Sequence, residues 1–484
     1  MSTTGRKTFR NTILLSAFEV VNPLLSLALV GTITRRLGAE GLGSYNLVLS
    51  YFFIAHAFTS LGLSPLVTRE IARQRSSAGR VFATASMLGI PVSLLVAGIL
   101  IAAVRFGGYG PNITYAALLA SAALVPSIIY LHAESVFIAM ERVDVMVVVA
   151  VLENILRVVA GLLLLLNGFG VIALVGSFAA CRAIATIGML AYIHRTCGPV
   201  RLGIDRNVWK GLIQSIPVFG GILLTSTLYQ SIDVLILSRL GNIEAVGFYT
   251  AAYRLMTIAM VVPKSFNTTI YPVLSRLFRE SSHNFNRANS LSLRYLLLLL
   301  LPVAVSIDGI ADSLVPLLFG PAMAPAAGAL RILIWTLVPY GIARVLASLL
   351  VASDRQRFDL AVNGIALVAN VGLNLVLIPR YGFIGCAWAN LLSMLVFLGM
   401  QCYFLRREIL GVIKNAAIVR PLLVTGALWG WFQLSAPLNL VIRLAGGGAL
   451  FVLLVVLLRA VPLSELRMVL PARLASVLPQ ERHD

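Results

Sequence analysis

Residues Val143 to Leu166 read VDVMVVVAVLENILRVVAGLLLLL, with only Asp144, Glu153 and Arg157 charged. A helix that crosses a bilayer takes roughly 20 mostly apolar residues, and this stretch supplies them without interruption. A membrane barrel would instead need segments of about ten residues that alternate apolar and polar. Lipid offers no partner to a backbone N–H or C=O, so a spanning segment must pair its own backbone. The stretch therefore reads as a transmembrane helix, and residues 295–314 read the same way.

The whole chain follows that reading. Of its 484 residues, 59% are hydrophobic and 12% charged, against about 45–50% and about 25% for soluble domains. The surplus does not fit in one soluble core, so the fold class is all-α integral membrane. Spans are expected at 11–33, 45–66, 81–104, 115–139, 143–166, 171–193, 212–237, 246–271, 295–314, 329–351, 360–378, 385–404, 419–434 and 441–458, about fourteen in all. The basic start (Arg6, Lys7, Arg10) leads into an apolar run too long for a signal-peptide core, which reads as a retained first span.

Orientation follows from the cations. With the N-terminus inside, 26 of the 38 Lys and Arg fall on inner segments, six on outer loops and six within spans. Cytoplasmic loops collect basic residues, so both termini are expected in the cytoplasm of a multi-pass protein. The net charge of +19 then belongs to those loops, and no nucleic-acid partner is expected. Cys181, Cys197, Cys386 and Cys402 lie far apart, without the paired spacing of a disulfide framework or a zinc site.

Four short matches recur in order. RLGAEGLGSY (36–45) resembles RLGNIEAVGFY (239–249), and PLVTR (65–69) resembles PVLSR (272–276). Glu141-Arg142 matches Asp354-Arg355, and FGVI (169–172) matches YGFI (381–384). The offsets run from 203 to 213. The repeat holds six spans, an even number, so both copies have the same orientation. Such parallel repeats build transporters with a substrate site between the halves. The expected domains are two parallel-repeat six-helix lobes at 1–200 and 201–410, accessory helices thirteen and fourteen at 411–460, and a cytoplasmic tail at 461–484.

RRLGAEGLGSYNL (35–47), the P-x-x-x-R end of the second span, DVLILSRLGNIEAVGFYTAAYRL (233–255) and LFGPAMAPAAGALRIL (318–333) carry a resemblance to a known family. They resemble the polysaccharide repeat-unit flippases, the O-antigen and exopolysaccharide exporters of the multidrug/oligosaccharidyl-lipid/polysaccharide superfamily, over residues 8–407. The resemblance implies twelve core helices in two lobes plus two accessory helices. It also implies a short glycan on an undecaprenyl diphosphate carrier as substrate, a bacterial inner membrane, and the polysaccharide polymerase machinery and membrane lipids as partners.

Charges inside spans mark where such a substrate could sit, because each costs ~2.5–3.5 kcal/mol at a helix centre on insertion scales and so faces a bundle interior or a wet cavity. Arg254 heads a polar stripe on the eighth span, with Lys264 at its edge and Tyr249 and Tyr253 beside it. A planar guanidinium binds phosphate oxygens bidentately, so this stripe reads as a cationic wall for a diphosphate, with the tyrosines for sugar contact. The plain alternative pairs Arg254 with Asp233. Arg182, Arg344 and Arg157 are further cationic candidates. Glu153 and Arg157, four apart, read first as an ion pair on one helix. Glu19 and Asn22 on the first span, and Gln230 and Asp233 on the seventh, are polar candidates for proton or sodium coupling or for pairing with an arginine. His56 and His132 read first as packing residues, and Pro217, Pro263, Pro302 and Pro339 as places where spans bend.

No phosphate-cradling Gly-rich loop and no H-E-x-x-H motif occurs, so neither ATP hydrolysis nor a metal site is expected, and no cofactor or catalytic residue. The expected function is flipping of a lipid-linked oligosaccharide by alternating access. A peptidoglycan-precursor flippase and a multidrug/cation antiporter are the nearest alternatives. A membrane glycosyltransferase or polymerase is the enzymatic one, disfavoured by the short outer loops.

Overall fold

The computed structural model describes residues 3–197, 203, 205–280, 282–352, 356–406, 419–458 and 460. Every described regular element is helical, as a chain starved of water-facing backbone partners requires. The helices are α1 (Thr3–Ser60), α2 (Ser64–Arg73), α3 (Ala78–Phe106), α4 (Pro111–Ala122), α5 (Leu124–Ala139), α6 (Val143–Leu166), α7 (Val171–Cys197) and α8 (Arg206–Leu240). They continue as α9 (Ile243–Ala259), α10 (Val261–Glu280), α11 (Ser282–Phe319), α12 (Ala326–Leu333), α13 (Leu337–Ala352), α14 (Gln356–Phe404), α15 (Val419–Leu434) and α16 (Leu440–Leu457). The expected tail at 461–484 lies outside the described residues.

Ten helical stretches among the described residues are long and apolar enough to cross a membrane, eleven with the bent pair formed by α1 and α2. The difference from fourteen has three local causes. Helix α1 joins the first two expected spans with a single non-helical residue between them, Gly38 at φ 69°, ψ −167°. Helix α14 joins the eleventh and twelfth in the same way at Gly382, φ 57°, ψ −136°. A side chain would strain the left-handed region at both points, and glycine has none. Helix α15 has 16 residues, about 24 Å at 1.5 Å per residue, short of a hydrocarbon core ~30 Å thick.

Three further expected spans are broken by proline. The fourth divides after Ala122, the eighth after Ala259, and the tenth passes through a 3₁₀ turn at Ile334–Thr336. Proline's ring clashes with the carbonyl four residues back. Pro126, Pro263 and Pro339 stand four residues after Ala122, Ala259 and Trp335 respectively. Pro126 and Pro339 are offset by 213, the same as Glu141 and Asp354, so the broken helix is itself part of the repeat.

The chain divides into two compact units. The first holds Met1–Arg254, Leu318–Pro325 and Leu367–Ala389. The second holds Leu255–Leu317, Ala326–Ala366 and Asn390–Asp484. The core of the first gathers Leu63, Val67 and Ile71 from α1–α2 with Phe82 of α3, Phe137 of α5 and Met189 of α7. In the second, α15 and α16 pack on α11 through Phe432, Leu428 and Val455. Arg443, counted with the outer loops from the sequence, is buried at 6% exposure. Its guanidinium donates to the carbonyls of Gly309 at 2.5 Å and Phe432 at 3.2 Å, which ties the accessory pair to α11.

Within the first unit, the two copies of the RLG motif meet. A Cβ on Gly43 would lie 1.9 Å from the Ile243 carbonyl oxygen, and one on Gly247 would lie 1.9 Å from that of Ala39. These glycines occupy matching positions in the repeat, and their lack of a side chain lets α1 and α9 touch backbone to backbone. Gly43→Ala is therefore expected to force the helices apart, at the ~1–3 kcal/mol typical of overpacking. Gly98→Ala is the control, because nothing lies within 4 Å of its Cβ. Equal thermal unfolding midpoints of the two variants in detergent would contradict the close approach.

Candidate functional site

The polar side chains of α1, α5, α6 and α7 converge on a cavity of about 290 Å³ inside the first unit. Helical spacing places them there. Ser127, Tyr130 and Glu134 form one stripe on α5, three and four residues apart, and Glu153, Asn154 and Arg157 form another on α6. Helix α1 contributes Asn22 near Pro23, and Phe52, Phe53 and His56 further along; α7 contributes Arg182. The carboxylates and guanidinia of the wall come from α5, α6 and α7, and α1 adds two aromatic rings, an amide and an imidazole.

Arg182 is the anchored cation. Its Nε lies 3.0 Å from Glu153 Oε1, and Glu153 is 8% exposed. Its guanidinium carbon sits 4.4 Å from the centre of the Tyr130 ring, a cation–π contact that fixes the height of the fork. Glu153 thus reaches across to α7. The pairing expected between Glu153 and Arg157 within one helix is not the one formed, because Tyr130 holds Arg182 within the carboxylate's reach and a buried carboxylate takes the closer cation.

Arg157 takes a neutral hydrogen-bond partner and feels the Glu153 carboxylate only through space. Its Nη2 donates to Asn154 Oδ1 at 2.6 Å, and Asn154 Nδ2 reaches the Asn22 carbonyl at 3.5 Å. Its Nε is buried without a hydrogen-bond acceptor among the described residues. Arg254, at the C-terminal part of α9, is half-buried and acted on by the like charge of Arg157 and by Tyr45. Two cations thus repel each other beside a cavity whose acids stand nearer Arg182.

Glu134 is a site residue that sequence reasoning missed. It lines the cavity and faces both Arg182 and Glu153 electrostatically. Its signal was the α5 stripe, visible as Ser127, Tyr130 and Glu134 at helical spacing. His56 also lines the cavity, stacked on Phe52 at 5.9 Å. His132 is a buried packing residue whose Nδ1 meets Ser86 Oγ at 3.3 Å.

The other sequence candidates fall elsewhere. Asp233 is 2% exposed and accepts from Tyr249 Oη at 2.7 Å and Asn374 Nδ2 at 2.7 Å. Asn374 also donates to Asn370 at 3.1 Å. Tyr249 is itself buried at 1% and stacked on the half-buried Tyr253, ring centres 5.7 Å apart. Gln230 is exposed and turns back to Ser226 of its own helix, so it does not share the Asp233 environment. In the second unit, α10 and α13 pack where Gly341 meets Pro263. Each carries an exposed cation beside that contact, Lys264 and Arg344. The Glu19 side chain lies outside the described residues.

A second polar cluster joins α1, the loop after α3 and the end of α8. Tyr109 Oη lies 2.7 Å from Ser238 Oγ and 3.3 Å from Tyr51 Oη, and Arg239 stacks over the Tyr109 ring at 4.4 Å. Arg239 also donates to the Gly107 carbonyl. Burial pushes the Tyr109 phenol up to about 12, so it stays a neutral donor across the physiological range.

Residues 8–278 match the family described as Polysaccharide biosynthesis protein, and residues 218–376 match the MatE family. The chain is 25% identical over 420 residues to a Haloferax volcanii protein named "Probable low-salt glycan biosynthesis flippase Agl15", covering 85% of this chain and 86% of that one. Among solved structures, the lipid II flippase MurJ in an inward closed conformation superposes with a TM-score of 0.76 at 12% identity, over 92% of this chain and 98% of that one. An inward-facing multidrug resistance MATE transporter of the MOP superfamily superposes at 0.69 and 17%, over 83% and 100%. At these identities the two superpositions establish the fold. The family match spans more than half of the chain, which therefore belongs to the family described as Polysaccharide biosynthesis protein.

Proposed function

We propose that this protein flips a lipid-linked glycan across the membrane, and that Arg157, with Arg182 and Arg254, holds the diphosphate of its carrier. The observation that carries this reading is Arg157, a half-buried cation lining the cavity, with an amide as its hydrogen-bond partner and a buried N–H left open. A buried N–H without an acceptor is costly, and a phosphate oxygen would satisfy that donor and offset the like charge of Arg254. Similarity to a glycan biosynthesis flippase supports the substrate class.

The finer reading takes undecaprenyl diphosphate as the carrier and a bacterial cytoplasmic membrane as the site, with both termini inside. The lobes at 1–200 and 201–410 would alternate access while the lipid tail stays in the bilayer. A negative interior favours outward movement of an anion by roughly 2.3 kcal/mol per charge per 100 mV, so coupling to a proton or to sodium is not required. Reconstitution in liposomes with a labelled lipid-diphosphate oligosaccharide tests the reading. Arg254→Ala is expected to slow translocation about tenfold or more, the loss of one charge-assisted contact. Wild-type rates in that variant would remove Arg254 from the site, and sugar transfer by the purified protein would overturn the transport reading.

A further inference from the structure

The cavity holds as many acids as cations. Glu134 and Glu153 face it together with Arg157 and Arg182, so its own formal charges balance before any ligand arrives. An anion placed there upsets that balance in a setting where water screens poorly. The diphosphate oxygens would have to compete with Glu153 for Arg182, 3.0 Å away. They would also have to approach Glu134, which looks onto the same guanidinium.

We propose that Glu134 and Glu153 take up protons when an anionic headgroup binds, so that loading of the site is linked to proton uptake. The inference rests on the diphosphate reading and deepens it: the two acids stand where phosphate would face Arg182 and are neutralised when phosphate displaces them from it. The balance is simple. Each carboxylate accepts one proton from solvent, no bond to carbon changes, and Arg182 exchanges a carboxylate oxygen for a phosphoryl oxygen. The sign follows. Protonated acids favour the bound anion, so affinity rises as pH falls.

The other groups facing this pair are few. Helix α1 presents His56, α5 presents Tyr130, α6 presents Arg157, and α7 presents Arg182 and Cys181. Arg254 of α9 acts on Arg157 from beside the cavity. Arginine and tyrosine keep one protonation state near neutrality, which leaves His56 as the competing proton acceptor.

The test is calorimetric titration of the full-length protein in detergent with farnesyl diphosphate, in buffers of unequal ionisation enthalpy. Wild type is expected to show net proton uptake, Glu134→Gln and Glu153→Gln less of it, and the double variant none. The double variant should bind at high pH at least tenfold tighter than wild type. No proton uptake by the wild type overturns the proposal, and that measurement stands even if the variants do not fold. Undiminished uptake in the double variant, or its loss in His56→Gln instead, also overturns it. A probe that fails to bind wild type, or binds Arg157→Ala equally well, overturns the diphosphate reading itself. Binding that needs Arg157 without proton uptake spares that reading and removes only the linkage.

Discussion

Arg157→Ala is expected to cut the flipping rate roughly 10- to 150-fold, the equivalent of about 1.5–3 kcal/mol for a hydrogen bond to a charged group. The fold should survive, because Arg157 donates its hydrogen bond to the side-chain oxygen of Asn154 on its own helix, at 2.6 Å. Removing the guanidinium strands no buried acid, since Glu153 is already paired with Arg182. Arg182→Ala differs in kind: it leaves Glu153 without its cation and Tyr130 without its stacked guanidinium. Its loss of activity would therefore mix binding with stability, and adding Glu153→Gln should restore the folded yield but not transport. Arg157→Lys keeps the charge and gives up the planar fork, so it should fall between wild type and alanine. Unimpaired flipping by Arg157→Ala, at normal levels in the membrane, would leave the cavity without its principal anion ligand.

The helices were legible because lipid leaves a polypeptide so few options. Continuous apolar runs dictated them, and the repeat was visible at RLG and at the FGVI–YGFI pair. The joints were partly legible. Pro126, Pro263 and Pro339 each break a span four residues upstream, by a steric rule that needs no tertiary context. The continuity of α1 through Gly38 was not, because a positive φ at a glycine can either end a helix or link two nearly in line. Site residues were harder still. Spacing alone suggested Glu153 with Arg157, and tertiary packing through Tyr130 chose Glu153 with Arg182 instead. Tyr249 looked like a surface for sugars, while its hydroxyl donates to Asp233 in a buried cluster. Such choices depend on which helix lies opposite, and one sequence does not carry that information.

The Asp233 cluster yields the largest expected loss of stability. Its carboxylate lies among α8, α9 and α14 and accepts from Tyr249 Oη and from Asn374 Nδ2, each at 2.7 Å. Asn370 and Asn374 are 0% exposed, so water cannot replace a lost donor. Asn374→Leu deletes one charged hydrogen bond and buries an apolar group against a carboxylate, which should cost about 1.5–3 kcal/mol, the range for a hydrogen bond to a charged group. Asp233→Asn should cost much less, because an amide oxygen still accepts from one donor and the buried charge is gone. Combining the two should recover much of the loss, since a neutral side chain tolerates a leucine neighbour better than a carboxylate does. Thermal unfolding in detergent reads all three variants. Additive losses in the double variant would mean that Asn374 and Asp233 do not depend on each other, and that the carboxylate is stabilised by something other than this amide. Transport adds a separate discrimination. If Asp233 carries a coupling ion, Asp233→Asn should fold well yet lose its dependence on the proton or sodium gradient; if it only clamps three helices, that dependence should persist at an unchanged slope.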